Sequence, residues 1–166
     1  KICITAMLAA MICVATILFV IPIPLNGYVN LGDCFILAAS WILGPVYGFA
    51  AAAIGSAMAD IFSGYVIFAP ATFIIKGLMA VVAALVAKKL ANRNYSHVLS
   101  ATAAESVMIV GYYLFDALFM GYGFTAAAPG IIWNVVQGCT GGIIGCFMMT
   151  IVAKTKVLSR FDTYSV

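Results

Sequence analysis

Asp60-Ile-Phe-Ser-Gly64-Tyr-Val-Ile-Phe-Ala-Pro70-Ala-Thr-Phe-Ile-Ile-Lys76-Gly77 is the stretch on which the fold turns. Gly64 is suited to end a helix and Pro70 to open the next, so the segment joins two apolar runs in a hairpin. An acid stands before the turn and a lysine after it, within runs otherwise suited to hydrocarbon. The same punctuation recurs in both directions. An apolar run from Ile2 stops at Pro22-Ile-Pro24-Leu-Asn-Gly27, and another from Leu31 stops at Gly44-Pro45. Later runs end near Leu90 and at Gly121-Tyr-Gly123, and Pro129 opens the last. A membrane-crossing helix needs about 20 apolar residues. The breakers therefore predict an all-α polytopic membrane protein, a compact bundle of six transmembrane helices over residues 2–21, 31–43, 45–64, 70–90, 97–120 and 129–154. The second spans only about 20 Å, so it is short or strongly tilted. Residues 1–166 read as a single transmembrane domain, and the start at Lys1 rather than Met is compatible with a trimmed N-terminus.

Composition supports this reading. Hydrophobic residues make up 66% of the chain and charged residues 8%, whereas a soluble domain carries about 25% charged residues to solvate its surface. The outer surface must face lipid. The net charge of +3 does not suggest nucleic acid; its meaning lies in placement. Lys1, Lys88, Lys89, Arg93, Lys154, Lys156 and Arg160 fall at one end of a six-helix layout, leaving only Lys76 elsewhere. Basic loops stay inside, so both termini are expected in the cytoplasm, in the plasma membrane of a bacterium. Five cysteines with no CxxC pair read as small hydrophobes in packed helices. Ala6-xxx-Ala10, the small residues of 50–59 and Gly141-xxx-Gly145 allow close helix approach.

Polar side chains within these helices can be placed by depth. Lys76 lies about 9 Å inside its helix, Asp60 and Asp116 about 6 Å from their ends, and Asn134 and Gln137 about 7 and 12 Å into the last helix. All five fall in the outer third, beside Asn30 and Asp33 at the start of the second helix. Ionisable groups in a membrane face the bundle interior and mark function. Trp133, Asn134 and Gln137 share a stripe, as do Tyr112, Tyr113 and Asp116, and Tyr28 and Tyr65 lie in outer loops. Such groups suit a small aromatic ligand held by rings and amides. A structural network, with Lys76 paired to Asp60 or Asp116, is the competing account. Glu105, about 22 Å from the outer end of its helix, reads as structural, held by a hydrogen bond. A loose echo relates Asp60, Gly64-Tyr65, Pro70 and Lys76-Gly77 to Asp116, Gly121-Tyr122, Pro129 and Gln137-Gly138, with spacings differing by one or two residues.

These residues resemble the S-components, the substrate-binding subunits, of energy-coupling factor (ECF) vitamin transporters. The resemblance covers nearly the whole chain. It rests on Ala6-xxx-Ala10, Tyr28-Val-Asn-Leu-Gly-Asp33, Leu43-Gly-Pro45, Gly55-Ser-Ala-Met-Ala-Asp60, the 65–77 stretch and Asn134-Val-Val-Gln137-Gly. It is closest to the branch associated with vitamin B6 compounds or hydroxymethylpyrimidine. The resemblance implies a vitamin bound near the outer face, docking through Ala6 and Ala10 onto a T-component, and energy from two ABC-type ATPases. It also implies a gating loop carrying Tyr28 and Asn30, and a pocket lined by Lys76, Tyr112, Trp133, Asn134 and Gln137. Asp60 and Asp116 are candidates for the same site. Ala126–Ala128, placed in the last outer loop, would offer little to a ligand.

Other functions fare less well. No GxxxxGK[ST] is present, so the chain does not itself hydrolyse ATP. One histidine and no HExxH or GxSxG argue against an intramembrane enzyme, and no cofactor or metal is expected. A stand-alone facilitator or proton-coupled carrier, with Glu105 or Asp116 as relay, is the alternative.

Overall fold

The computed structural model describes residues 1–23, 27–91 and 93–154; Lys156 and Arg160 lie outside the described residues. Five helical stretches carry nearly all of it: α1 (Ile2–Leu18), α2 (Gly32–Phe62), α3 (Ala69–Lys89), α4 (Ser96–Leu114) and α5 (Gly123–Lys154). A two-residue antiparallel pair, β1 (Ile21–Pro22) with β2 (Tyr28–Val29), closes the connection between α1 and α2. That pairing stops α1 at Leu18 rather than residue 21, because Ile21 is extended against Val29.

Among the described residues, four helices are long and apolar enough to cross a membrane: α2, α3, α4 with the turn that follows it, and α5. The 17-residue α1 is a shorter apolar helix. Their outer faces carry large apolar side chains such as Val46, Ile143 and Phe119, which are 74%, 71% and 80% exposed. A surface of this kind belongs in lipid.

Residues 31–43 and 45–64, expected as two helices, form one stretch broken at Gly44, where φ is 78° and ψ −176°. Only glycine adopts that backbone without strain. The break is a reversal. A Cβ placed on Gly48 would stand 3.1 Å from Ser40 Cα, whereas eight residues of straight helix separate such positions by about 12 Å. The two halves of α2 therefore pack against each other, and Asp33 and Asp60 come to the same end of the bundle.

The last helix departs further from expectation. It begins at Gly123 rather than Pro129, so Ala126–Ala128 are helical and Ala127 is fully buried. Alanine is the strongest helix former, and Gly123, at φ 77°, supplies the entry. Pro129 sits inside the helix.

Small residues set the packing. A Cβ on Gly55 would lie 2.5 Å from the Ala9 carbonyl oxygen, and one on Gly145 would lie 3.2 Å from Leu37 Cδ1. The helices thus approach over glycine, around a core that includes Ile12, Ile36, Leu37, Met79 and Met108. At the end that carries Lys88 and Lys89, the Trp41 indole donates to Ser100 Oγ at 2.8 Å, and Ser100 donates to the Ala83 carbonyl at 2.6 Å. His97 packs edge-on to Trp41. These contacts tie α2, α3 and α4 together.

Candidate functional site

At the opposite end, side chains from α1, the β1–β2 connection, α2, α3, the α4 turn and α5 enclose one cleft. Its floor is an ion pair. Lys76 Nζ donates to Asp33 Oδ1, and both side chains are almost completely buried. Lys76 also reaches Met108 Sδ at 2.8 Å and lies 5.6 Å from the centre of the Tyr112 ring. Its partner is therefore neither of the acids expected from depth, Asp60 or Asp116. The reversal at Gly44 explains this: it directs the start of α2 inward, so Asp33 sits beneath the cleft rather than at its rim. A buried cation needs a close anion, and Asp33 supplies it.

Gln137 locks this floor to the connection above it. Its Nε2 donates to Asp33 Oδ2 at 2.6 Å, and its Oε1 accepts the Asn30 backbone N–H at 2.9 Å. Asn30 Oδ1 in turn accepts the Gly32 N–H at 2.8 Å, turning the chain into α2. On the facing wall, Tyr28 Oη donates to Asp60 Oδ1, and the Tyr28 and Tyr65 rings stand 4.6 Å apart. Burial first, then the charge of Asp60, pushes the Tyr28 hydroxyl far above its usual pKa, so it stays a donor. Thr72 Oγ1 and Tyr112 Oη are hydrogen-bonded at 3.0 Å.

Asp60 and Asp116 arrive by similar turns. The Tyr65 N–H donates to the Asp60 carbonyl at 2.8 Å across Gly64, and the Tyr122 N–H donates to the Asp116 carbonyl at 3.3 Å across Gly121. Both glycines have positive φ, 85° and 73°. The second turn is one residue longer because Phe115–Phe119 is a π-helical turn, and such a turn accommodates an extra residue. The faint sequence echo is thus a shared way of ending a helix below a carboxylate.

Of the residues singled out from sequence, Tyr28, Asn30, Asp60, Lys76, Tyr112, Asp116, Asn134 and Gln137 line this cleft. Trp133 does not. It is 40% exposed, while Asn134 and Gln137 are buried, because the stripe they share runs along the edge of α5 and Trp133 falls on its outer side. Asp33, Met108, Thr72, Ser56 and Thr16 were not assigned to a site. The signal for Asp33 was present in its position at the start of an apolar helix, but its partner was not legible. Glu105 differs from expectation as well: neither carboxyl oxygen has a hydrogen-bond partner. It packs on α5 behind Asp33, at the glycines 138 and 141.

The cavity volume is ≈ 40 Å³, enough for water-sized occupants and far below the 300–1,000 Å³ or so of a typical ligand pocket. Ile23, Gly27, Tyr28 and Asn30, the described residues of the α1–α2 connection that line the site, form one wall. Ala6 and Ala10 lie elsewhere, in an apolar groove between α1 and α2 with Ala9, Ile54 and Gly55.

The profile of the family described as "ECF-type riboflavin transporter, S component" matches residues 1–154. The chain belongs to this family. It is an S-component, a multi-pass membrane subunit of an ECF transporter and not an enzyme, and membership implies a vitamin ligand and partners from the ECF module. The family is the riboflavin type rather than the vitamin B6 or hydroxymethylpyrimidine branch expected from the motifs. A solved structure described as "Structure and mechanism of the S component of a bacterial ECF transporter" shares the fold. Its TM-score is 0.65 at 20% identity, covering 90% of this chain and 93% of that one. A Pyrococcus woesei protein, described only as "Uncharacterized protein in gap 3'region", is 36% identical over 134 residues, 80% of this S-component and 87% of that protein.

Proposed function

We propose that this S-component captures riboflavin, or a close flavin analogue, in the cleft above the Lys76–Asp33 pair and delivers it to an energising complex. The observation that carries the proposal is the convergence of polar side chains from separate helices on one cleft, in a chain of the riboflavin-type family. Rings at Tyr28, Phe68 and Tyr112 offer stacking surfaces, and Asn134 and Gln137 offer amides. Because the cavity is small, binding requires the wall formed by Ile23, Gly27, Tyr28 and Asn30 to move outward, with Tyr28 and Asn30 acting as its latch. The vitamin B6 and hydroxymethylpyrimidine assignment rests only on motif likeness, and the family type does not support it.

In this proposal the chain crosses the membrane six times, counting the two halves of α2 separately, as a single domain. The cleft faces outward and both termini face the cytoplasm. Lys1, Lys88, Lys89, Arg93 and Lys154, at the other end, support that orientation. The apolar α1–α2 groove with Ala6 and Ala10 is the docking surface for a T-component, which works with two ABC-type ATPases.

The decisive test is flavin fluorescence on the purified protein. Riboflavin should be quenched stoichiometrically, and pyridoxine or hydroxymethylpyrimidine should not displace it. Cells expressing this chain without a T-component and ATPases should bind riboflavin but not accumulate it. Accumulation by the chain alone would establish a self-sufficient carrier instead.

A further inference from the structure

A second groove lies between α4 and α5, ≈ 500 Å³ in volume and lined mostly by small or apolar side chains. Its lining recurs at 98, 101–102, 105–106 and 109 on α4, and at 135, 138–139, 142–143 and 146 on α5. Steps of three and four residues are one continuous face on each helix, so the two faces form a trough about 17 Å long. Small residues along it, Ala101, Gly138 and Gly142, leave room for a third helix to approach closely.

Glu105 is out of place in such a surface. It is 5% exposed, and neither carboxyl oxygen has a partner in the protein. A Cβ on Gly138 would stand 3.2 Å from Glu105 Oε2, so at that point only a glycine stands between the carboxyl and the groove. Rotation of the side chain past Gly138 meets no Cβ. The hydroxyls on the same wall are already spent, Thr102 on the Val98 carbonyl at 2.9 Å and Ser106 on the Thr102 carbonyl at 2.8 Å. Among the described residues, Lys76 is the one lysine or arginine away from the helix ends and loops, and it is paired with Asp33. A carboxylate buried in a membrane is costly without a counter-ion, and this chain supplies none.

Depth decides what kind of partner can supply it. Glu105 is the middle residue of α4, about 14 Å from either end. Lipid headgroups stay at the membrane surface, and acyl chains carry no donor. A second copy of this chain offers no cation at that depth, because its Lys76 is buried. We propose that the α4–α5 groove seats a transmembrane helix of a partner protein, and that a lysine or arginine in the middle of that helix pairs with Glu105. The surface shares no residue with the groove that holds Ala6 and Ala10, and it does not depend on which ligand the cleft holds.

The test uses the purified chain in phosphatidylcholine vesicles and a dansyl-labelled leucine–alanine transmembrane peptide. The peptide carries one central lysine and a cysteine one turn away; a control has leucine for lysine. Energy transfer from Trp41 and Trp133 reads association. The lysine peptide should associate about 10-fold more strongly than the control. Copper-phenanthroline oxidation should join it to Cys139, which is exposed on the groove, and Cys139→Ser should abolish the cross-link. In Glu105→Gln the preference for lysine should fall to about 2-fold or less. Gly142→Leu is a second variant that leaves the carboxyl untouched. A Cβ there meets only Ala101 Cβ, at 3.7 Å, so leucine should fill the groove and abolish association without lowering the thermal midpoint. Equal association of the two peptides with the wild-type chain overturns the proposal and leaves a proton as the counter-ion of Glu105. A lysine preference that survives Glu105→Gln, or a cross-link that survives Cys139→Ser, overturns it as well, because the cation would then sit elsewhere.

Discussion

The cleft and the α1–α2 groove use opposite chemistry. The cleft is the smaller and more polar of the two and is assembled from almost every element; its ≈ 40 Å³ is bounded in part by carboxylates, amides and a buried ammonium group. The groove is open, ≈ 580 Å³, and lined by Ile2, Ala6, Ala10, Met58, Phe62 and their neighbours. Polar groups that are costly in a membrane are concentrated where a small ligand can satisfy them. Small and apolar groups are laid out where another helix can pack closely. Under the proposed function, one short bundle separates capture from docking by the polarity of its surfaces.

The largest expected effect tests the cleft floor. Asp33→Ala should destabilise the protein by about 3–5 kcal/mol, since it leaves Lys76 buried without its anion. The thermal midpoint in detergent reads this, and the Asp33→Leu/Lys76→Met pair should recover most of the loss. Equal damage from the double variant would mean that the floor matters for its shape and not for its charge pairing.

Next in size is Gln137→Ala. It removes both the Asp33 and Asn30 contacts, and it should weaken riboflavin binding by about 1–3 kcal/mol in a titration. Asn134→Ala, with fewer contacts at stake, should fall at the lower end of that range. Unaltered affinity in both would move the ligand out of this cleft.

The groove predicts the converse pattern. Ala6→Leu or Ala10→Leu should weaken assembly with the T-component by about 1–3 kcal/mol, the usual cost of overfilling a close-packed contact. Co-purification would detect it, and riboflavin titration should be unaffected. Loss of binding with assembly preserved would reverse the roles of the two regions. The smallest effect belongs to Trp133→Ala, expected within about 0.5 kcal/mol for riboflavin binding because the side chain faces away from the cleft.

Much of this was legible in the residues. Apolar run lengths, Gly64, Pro70 and Gly44-Pro45 divided the chain at the right places, and depth counting brought Asp60, Lys76, Asp116, Asn134 and Gln137 to one end. Depth carries no information about rotation, so Trp133 was placed with its neighbours and not on the far side of α5. Nor could it say that Lys76 would choose Asp33. Pro129 read as a helix start, but the preceding alanines extend α5 back to Gly123.

By itself, the sequence determined the solvent and the periodicity: too few charges for water, helices of fixed rise, and polar groups at a common height. Those follow from local composition and geometry. Tertiary structure alone decided which polar groups meet, because pairing depends on how helices rotate and on a reversal at one glycine. Asp33 beneath Lys76 and Gln137 bridging floor to loop both come from that packing.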